Sequence, residues 1–406
     1  MEAYQFPLER FGGLRRLERL KATADRGPTP CLYIDLDIVE AQYRRLRRAM
    51  PYAEIYYAVK ANPAREIVEL LARLGSSFDI ASRYELDLAL SYGVDPARLS
   101  YGNTIKKRAD IAYAYERGVR LFACDAEADV HNIAELAPGS RVFFRVFTQG
   151  TGSDWPLSRK FGAHPELILD MARFAARSGL EPYGISFHVG SQQRDIGEWD
   201  DAIARTKLLF EELEEQGIAL GMINIGGGFP AAYLDPTHPV EIYTSEIGRF
   251  LTERFGDALP RIITEPGRYL VADAGVLVSE VILITGKARQ SLYRWVYIDA
   301  GLFGGLIEAM GEAIKFPIFF DAEGAAEEII LAGPTCDSMD VLYETYKYSM
   351  PNQASTGDRL YIYTTGAYTH TYSSVSFNGF PPLEMRFLPR RAVPAQTTSA
   401  PGPGSS

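Results

Sequence analysis

The feature that most constrains the fold is a regular alternation of short apolar runs and amphipathic stretches between about residues 30 and 275. The apolar runs have the length and composition of strands, and the amphipathic stretches have helical spacing. A first strand candidate, Cys31–Ile34, enters this region. Eight more follow it: Ile55–Val59, Ser77–Ile80, Leu99–Gly102, Leu121–Cys124, Arg141–Phe147, Gly184–Val189, Met222–Ile225 and Arg261–Thr264. Eight units that alternate strand and helix predict an α/β fold, a closed (β/α)8 TIM-type barrel over residues 30–275.

The residues on either side of the barrel have a different pattern. Four strand candidates separated by turns follow it: Val276–Thr285, Arg294–Asp299, Glu328–Ala332 and Arg359–Thr364. They predict a mostly β C-terminal domain over residues 276–388. Residues 1–29 contain one helical stretch, Leu8–Ala22, and we expect this N-terminal segment to pack on the β domain. Residues 389–406 are rich in Pro, Ser, Gly and Thr, which predicts a disordered tail.

Charge and cysteine content exclude several classes of protein. The formal net charge is −10 and no run of basic residues is present, which disfavours binding to nucleic acid. No apolar stretch reaches the length of a membrane span, and the first residues lack a secretory pattern. Cys31, Cys124 and Cys336 are far apart and odd in number, so we expect neither a disulfide framework nor a zinc site. We therefore expect a cytoplasmic protein that binds neither nucleic acid nor membrane.

Lys60 stands at the end of the first predicted barrel strand, in the run Tyr57–Asn62. Active sites of such barrels lie at the carboxyl ends of the strands. An amine held by an apolar strand is partly desolvated, so we expect the pKa of Lys60 to be lowered and its amine to be nucleophilic. Judged alone, a lysine at a strand end is more often a surface residue whose stem covers apolar neighbours.

The other strand ends also carry polar or glycine-rich groups, and their joint placement indicates a site. In chain order these groups are Lys60, Asp79, Asn103, Asp125, Arg145, His188, Gly226-Gly227-Gly228 and Glu265. The glycine triplet follows the seventh strand, where such barrels commonly bind phosphate, and glycines let backbone N–H groups approach an anion. Gly267 and Arg268 follow the eighth strand and could complete a phosphate site, because arginine supplies forked donors.

A phosphate site beside a nucleophilic lysine suggests pyridoxal 5′-phosphate, which needs a lysine for its Schiff base and a partner for its ring nitrogen. Glu265 is the candidate partner, since an ionised carboxylate would keep the ring nitrogen protonated. His188 could stack on the ring, although a single such histidine is more often a hydrogen-bonded core residue. Metal binding is disfavoured because the histidines lack H-x-x-x-H spacing and the cysteines are unpaired.

Six short motifs, in order along the chain, resemble one known family. They are Tyr57–Asn62, His188-Val189-Gly190-Ser191, Gly226-Gly227-Gly228-Phe229-Pro230, Glu265-Pro266-Gly267-Arg268, Cys336-Asp337 and Gly366-Ala367-Tyr368. Together they resemble the ornithine/diaminopimelate/arginine decarboxylases, which are pyridoxal-phosphate enzymes of the alanine-racemase-like barrel fold. The resemblance runs from about Pro28 to Leu388 and is strongest to bacterial ornithine or lysine/ornithine decarboxylases.

The resemblance implies a role for each matching residue around the cofactor. Lys60 forms the Schiff base, His188 stacks on the ring and Glu265 pairs with the ring nitrogen. Asp79 and Arg145 lie near the cofactor and support Lys60 and the ring. The phosphate is held by Ser191, Gly228, Gly267, Arg268 and Tyr368, and Gly226 and Gly227 are also expected to bind the cofactor.

The resemblance also implies an active site shared between two subunits. Cys336 is similar to the family's acid, which protonates the carbanion after carbon dioxide leaves. Asp337 resembles the acidic group that binds the distal amine of the substrate. Because both reach into the site of the other subunit in the family, a head-to-tail homodimer is expected.

The polar loop Gly150–Gly162 could close over the site.

The resemblance favours L-ornithine as the substrate, with putrescine and carbon dioxide as the products. Asp337 and the segment around Phe377 resemble the ornithine branch, and Glu312 is a candidate second acid for the distal amine. A lysine/ornithine decarboxylase of dual specificity is the first alternative, because one methylene is worth only about 1–3 kcal/mol in a pocket. Diaminopimelate decarboxylase is the next alternative. A non-catalytic regulatory relative is the last, because such a relative would be expected to have lost Lys60, the phosphate glycines or Cys336.

Overall fold

The computed structural model describes residues 3–25, 27–155, 160–257 and 259–391. Most of the predicted disordered tail, residues 392–406, lies outside this described part. The first residues of that tail do make contacts, because the Arg390 guanidinium donates to the Asp37 carboxylate at 2.9 Å. Within the described residues, no helix is long and apolar enough to cross a membrane.

The predicted barrel is confirmed as a closed ring of eight strands whose hydrogen-bonded neighbours run parallel. In chain order its strands are β2 (Ala53–Ala58), β3 (Ser77–Ile80), β4 (Leu99–Tyr101), β5 (Leu121–Cys124), β6 (Arg141–Arg145), β8 (Glu181–Ser186), β10 (Met222–Asn224) and β11 (Arg261–Thr264). The helices are α1 (Gly13–Ala24), α2 (Leu36–Ala49), α3 (Arg65–Arg73), α4 (Arg83–Ser91), α5 (Arg108–Glu116), α6 (Glu127–Leu136), α7 (Pro165–Arg177), α8 (Gly197–Glu215), α9 (Val240–Phe255) and α10 (Arg268–Val271).

The remaining strands form a β domain and a small ribbon. The β domain contains β1 (Cys31–Ile34), β12 (Gly275–Thr285), β13 (Arg294–Ile298), β14 (Ile318–Phe320), β15 (Ala326–Ala332), β16 (Val341–Pro351), β17 (Arg359–Tyr363) and β18 (Glu384–Phe387). Its main path has the order β14-β17-β12-β13-β15-β16, with β1 and β18 attached to β12. The ribbon pairs β7 (Ser153–Trp155) with β9 (Ser191–Gln193).

Strand β1 corrects the predicted start of the barrel. It pairs antiparallel with β12 and parallel with β18, so it belongs to the β domain and not to the barrel. All four of its residues are buried, as in a barrel strand. A short apolar run is compatible with either sheet, and only pairing with residues more than 240 positions away decides between them.

The N-terminal helix α1 lies against the β domain. Leu17 and Leu20 are buried in one cluster with Val276 of β12 and Tyr363 of β17. The guanidinium of Arg16 lies over the Tyr363 ring, 5.6 Å from its centroid. Burial of these apolar side chains provides the driving force for the contact.

Helix α4 shows how local sequence shapes the mouth of the barrel. The Ser82 hydroxyl accepts the N–H of Glu85 at 3.3 Å, and the Glu85 carboxylate accepts the N–H of Ala81 at 2.7 Å. This reciprocal capping resembles a capping box and starts the helix directly after β3. It fixes the loop at Ala81, which lines the cavity described next.

Candidate active site

A cavity of about 220 Å³ opens at the carboxyl end of the barrel strands. The residues that line it are Lys60, Ala81, Gly102, Asn103, Arg145, Trp155, Phe161, His188, Ser191, Arg268, Glu308, Tyr368 and Tyr372. Several of them come from the predicted strand ends, and others come from the β domain. The cavity therefore lies where the two domains meet.

Lys60 lies in a short 3₁₀ turn, Val59–Ala61, immediately after β2. The next residue after this turn, Asn62, secures it by donating to the Gly366 carbonyl at 2.8 Å and accepting the Ala64 N–H at 3.1 Å. The Lys60 ammonium lies 3.3 Å from the Asp79 carboxylate. The Lys60 side chain is 44% exposed because it faces the open cavity, whereas Asp79 beneath it is buried.

The pKa of Lys60 differs from the prediction that its apolar strand would lower this pKa. Partial burial in the cavity lowers the pKa of Lys60, but attraction to Asp79, Tyr368 and Glu265 outweighs this effect, and the net result is a pKa above the ordinary value. Burial, followed by repulsion from Glu265, raises the pKa of Asp79, while Lys60 opposes this rise. The expected lowering is therefore wrong, because an acid on the neighbouring strand stabilises the ammonium form.

His188 follows β8 and presents a neutral ring to the cavity. Its pKa is well below the ordinary value because the ring is buried, with additional repulsion from Arg145 and Lys60. The Gly190 N–H donates to His188 Nδ1 at 3.1 Å, so the ring proton belongs on Nε2. The result is a flat, uncharged aromatic surface with a fixed orientation.

Glu265, at the end of β11, is oriented by a residue that the sequence did not single out. The Asn224 amide donates to Glu265 Oε1 at 2.5 Å, and its oxygen accepts the Gly226 N–H at 3.0 Å. Asn224 therefore joins the glycine triplet to the carboxylate. Its sequence signal was an amide inside an otherwise apolar strand, which is costly to bury unless it is hydrogen-bonded.

The glycines pack too closely against their neighbours to be replaced. A Cβ atom on Gly227 would lie 2.5 Å from the Glu265 carbonyl oxygen and 3.5 Å from His188 Nε2. A Cβ atom on Gly267 would lie 3.3 Å from the Tyr368 hydroxyl. Gly226 and Gly228 both have positive φ, of 65° and 101°, which glycine adopts readily. A side chain at any of these four positions would therefore force neighbouring atoms to shift.

Arg268 is buried and its guanidinium is fully engaged by protein groups. It donates to both carboxylate oxygens of Glu308 at 2.7 and 2.6 Å, and each of the two side chains is 3% exposed. It also donates twice to the Ser191 hydroxyl, at 3.1 and 3.0 Å, and once to the Tyr233 hydroxyl at 2.7 Å. Sequence reasoning missed Glu308 as a site residue, although it is a lone acid in a glycine-rich apolar segment.

Tyr368 reaches the cavity from the β domain. Its backbone N–H donates to the Ala61 carbonyl at 2.9 Å, which ties its loop to the Lys60 turn. The Arg268 guanidinium lies 4.9 Å from the centroid of the Tyr368 ring. The cavity is thus closed on this side by a contact between residues about 300 positions apart.

The loop predicted to close over the site borders the cavity on both of its described flanks. Trp155 of β7 and Phe161 line the cavity, and the Arg145 guanidinium lies 4.8 Å from the centroid of the Phe161 ring. The Gly162 N–H donates to the Asp125 carboxylate at 2.9 Å. Residues 156–159 lie outside the described part of the chain, and closure remains a prediction.

Cys336, Asp337 and Phe377 do not line the Lys60 cavity. Cys336 is exposed on the loop between β15 and β16. Asp340 holds this loop, because its carboxylate accepts the N–H groups of Leu302 at 2.7 Å and of Thr335 at 3.0 Å. Phe377 and Thr335 line a separate cavity of about 310 Å³ in the β domain. One chain therefore carries two separate groups of predicted site residues.

Glu312 is also placed away from the Lys60 cavity. Its carboxylate accepts three backbone N–H groups, from Glu344 at 2.8 Å, Thr345 at 2.6 Å and Tyr346 at 2.9 Å. Burial raises the pKa of Glu312, but these hydrogen bonds outweigh burial and lower it. In one chain this carboxylate holds β16, and its role in substrate binding remains a prediction.

Comparisons with known proteins agree with this arrangement. The family model described as the pyridoxal binding domain of pyridoxal-dependent decarboxylases matches residues 36–272. The lysine/ornithine decarboxylase of Selenomonas ruminantium is 34% identical over 368 residues, which cover 89% of this chain and 90% of that protein. The ornithine decarboxylase of Caenorhabditis elegans is 32% identical, with 86% of this chain and 85% of that protein covered.

A solved structure shows the same fold over nearly the whole chain. The lysine/ornithine decarboxylase of Vibrio vulnificus, in complex with cadaverine, has a TM-score of 0.83 and 29% identity. The match covers 93% of this chain and 99% of that one. Barrel, β domain and sequence therefore agree, and the chain belongs to the family of pyridoxal-dependent ornithine/arginine decarboxylases.

Proposed function

We propose that this protein decarboxylates L-ornithine to putrescine and carbon dioxide. The observation that carries the proposal is the Lys60 ammonium, which faces the cavity 3.3 Å from Asp79, with the neutral His188 ring also lining that cavity. A pyridoxal-phosphate site needs a lysine that reaches the cofactor and a partner for the ring nitrogen, and Lys60 and Glu265, directly after β11, supply this pair, while the neutral His188 ring offers a face on which the cofactor ring could stack.

The residues of the cavity fit pyridoxal phosphate. Asp79 Oδ1 is buried without a hydrogen-bond partner among the described residues, beside the cavity-lining Gly102. The backbone at Gly227 packs against the Glu265 carbonyl and beside the ring of His188, which lines the cavity. Lys60 would hold the cofactor covalently, and Glu265 would pair with its ring nitrogen. When bound, the cofactor supplies a ring that accepts the electron pair of the broken carbon–carboxylate bond.

The hydrogen bonds around Arg268 indicate how a phosphate would be held. Because Ser191 Oγ accepts two N–H groups from Arg268, its own hydroxyl proton is free to be donated into the cavity. Tyr368 can donate a second hydroxyl proton, and the glycine backbone can donate N–H groups. In this arrangement Arg268 contributes mainly by orienting Ser191, since Glu308 compensates its charge.

We further propose that the complete site is shared between two head-to-tail subunits. Cys336 and Asp337, which the resemblance assigns to proton donation and to binding of the distal amine, are not among the described residues that line the Lys60 cavity and are presented together on a loop outside it. A second copy of the chain could bring its loop to the cavity. Cys336 of the partner subunit would then donate its thiol proton to Cα, and Asp337 of the partner subunit would bind the distal amine.

A dual lysine/ornithine decarboxylase is the second candidate. Relatives from Selenomonas ruminantium and Vibrio vulnificus carry that name, and the latter was solved with cadaverine. Glu312 is engaged by backbone N–H groups within one chain, and Asp337 is the other predicted acid for the distal amine. One methylene in the substrate changes the binding free energy by only about 1–3 kcal/mol, which does not prevent one site from accepting both lysine and ornithine.

Carbon dioxide release from ornithine, lysine, diaminopimelate and arginine, compared by kcat/KM, tests the substrate. We expect ornithine to be best and lysine to follow within about 10–200-fold. A preference for lysine or equal values would support the dual enzyme, and a preference for diaminopimelate or arginine would overturn the proposal. No release from any of the four would favour a non-catalytic protein.

Mixing two inactive variants tests the shared site. Lys60→Ala and Cys336→Ala subunits should each be inactive alone. After dissociation and random reassociation, half of the dimers are mixed and each mixed dimer regains one intact site of two, so about a quarter of wild-type activity should return. A mixture no more active than either variant would refute shared sites. Loss of visible cofactor absorbance in Lys60→Ala checks the covalent anchor independently.

A further inference from the structure

We propose that Asn378 positions the thiol of Cys336 and stabilises the thiolate that remains after this thiol has donated its proton. The inference deepens the proposed function, since it rests on Cys336 as the proton donor of the reaction. Asn378 acts through Cys336 and is therefore a positioning residue.

A single amide contacts Cys336 at two points. The Cys336 backbone N–H donates to Asn378 Oδ1 at 2.8 Å, and Asn378 Nδ2 donates to Cys336 Sγ at 3.1 Å. The two bonds close a ring through the cysteine side chain, so they fix the direction of the Cα–Cβ–Sγ arm. An exposed cysteine would otherwise sample several rotamers.

The pattern of donors decides what the thiol can do. The amide oxygen of Asn378 is occupied by the backbone N–H, so it does not compete for the thiol proton. During transfer the S–H bond breaks, the proton forms a C–H bond with the electron pair at Cα, and sulfur keeps the S–H electrons. The N–H group of Asn378 then faces the new negative charge on sulfur, and such charge-assisted bonds are the stronger ones. Water returns the proton to the thiolate before the next turnover.

The loop that carries Asn378 is preset for this contact. Asn378 has φ 49° and ψ 21°, a left-handed conformation that asparagine tolerates better than most residues. The loop is closed by the N–H of Ser376, which donates to the Phe380 carbonyl at 3.1 Å. The Phe377 ring packs 4.8 Å from the Phe303 ring. The amide is therefore held in place before the thiolate forms.

Three variants separate this role from a general effect on folding. Asn378→Asp keeps an oxygen acceptor and tolerates the left-handed backbone, but replaces the N–H donor with a second oxygen. Asn378→Gly also keeps the backbone and removes both bonds. Asn352→Asp is the matched control, because Asn352 is an exposed loop asparagine whose oxygen accepts the Ala325 N–H at 3.1 Å.

The first readout is the pH dependence of Cys336 alkylation by iodoacetamide in the holoenzyme, followed by mass spectrometry of the Cys336 peptide. Cys31 and Cys124 are buried and do not interfere. The midpoint of the alkylation profile should move to higher pH by about one unit or more in both Asn378 variants, and it should stay in place in Asn352→Asp. The second readout is a fall in kcat of about tenfold, with KM changed by less than about twofold.

The outcomes distinguish this inference from the proposed function. An unchanged alkylation midpoint in both Asn378 variants would overturn the inference, as would a shifted midpoint with unchanged kcat. If the alkylation midpoint shifts but the wild-type protein releases no carbon dioxide from any basic amino acid, the hydrogen bonding between Asn378 and Cys336 is supported and the proposed function fails.

Discussion

The buried ion pair between Arg268 and Glu308 allows a quantitative test of how much this pair contributes to the stability of the cavity wall. Glu308→Ala would leave the Arg268 guanidinium buried without its counter-ion, and removal of one partner of a buried pair typically costs about 3–5 kcal/mol. The chain offers a matched control in Glu54, whose carboxylate also accepts two bonds from one arginine, Arg261, at 2.8 and 2.6 Å. That pair is partly exposed, at 50% for Glu54 and 29% for Arg261, so Glu54→Ala should cost no more than about 1 kcal/mol.

The measurement is urea unfolding of the cofactor-free variants, followed by both tryptophan fluorescence and circular dichroism. Coincident transitions are needed before a single free energy of unfolding is assigned. Replacing both members, as in Arg268→Met with Glu308→Leu, should cost less than Glu308→Ala alone, because no charge is left unpaired. Equal losses in Glu308→Ala and Glu54→Ala would refute the reasoning from burial.

Two further predictions concern the glycine surface and His188. Gly227→Ala should weaken cofactor binding by about ten- to hundredfold in a titration of the apoenzyme, because its Cβ would lie 2.5 Å from the Glu265 carbonyl. The control variant Gly221→Ala, whose Cβ would lie 3.4 Å from the Tyr183 ring, should bind the cofactor with wild-type affinity. Equal cofactor affinities of Gly227→Ala and Gly221→Ala would contradict the assignment of Gly227 to the cofactor site. Because burial lowers the pKa of His188, the unfolded chain binds a proton that the folded protein does not once the pH falls below about 6.5. His188 should therefore reduce stability on acidification, by up to about 1.4 kcal/mol per pH unit, and His188→Asn should show a shallower dependence between pH 6.5 and 5.

The barrel was predictable because its information is local. Each barrel strand contains a short buried run, and the helices between the strands bury apolar residues at helical spacing. The position of Lys60 followed in the same way, because the carboxyl end of a strand can be located from the strand itself. Motifs in the correct order then added the cofactor, since each motif is contiguous in sequence.

Features that depend on distant partners were not predictable. Strand β1 joined the β domain through pairing with β12 and β18, and Asn224 acquired its role only because Glu265 lies beside it. Glu308 and Glu312 are close in sequence and alike in chemistry, yet one pairs with a buried arginine and the other with three backbone N–H groups. Sequence spacing carries no information about such partners.

By itself, the sequence determined the order of strands and helices, the (β/α)8 architecture and the strand ends that carry chemistry. Those properties follow from side-chain periodicity and backbone preference over a few residues. The tertiary structure decided the charge state of Lys60, the neutral form of His188, the engagement of Arg268 and the separation of Cys336 from the Lys60 cavity. The physical reason is that pKa values and hydrogen-bond partners depend on burial and on charges brought together from distant parts of the chain.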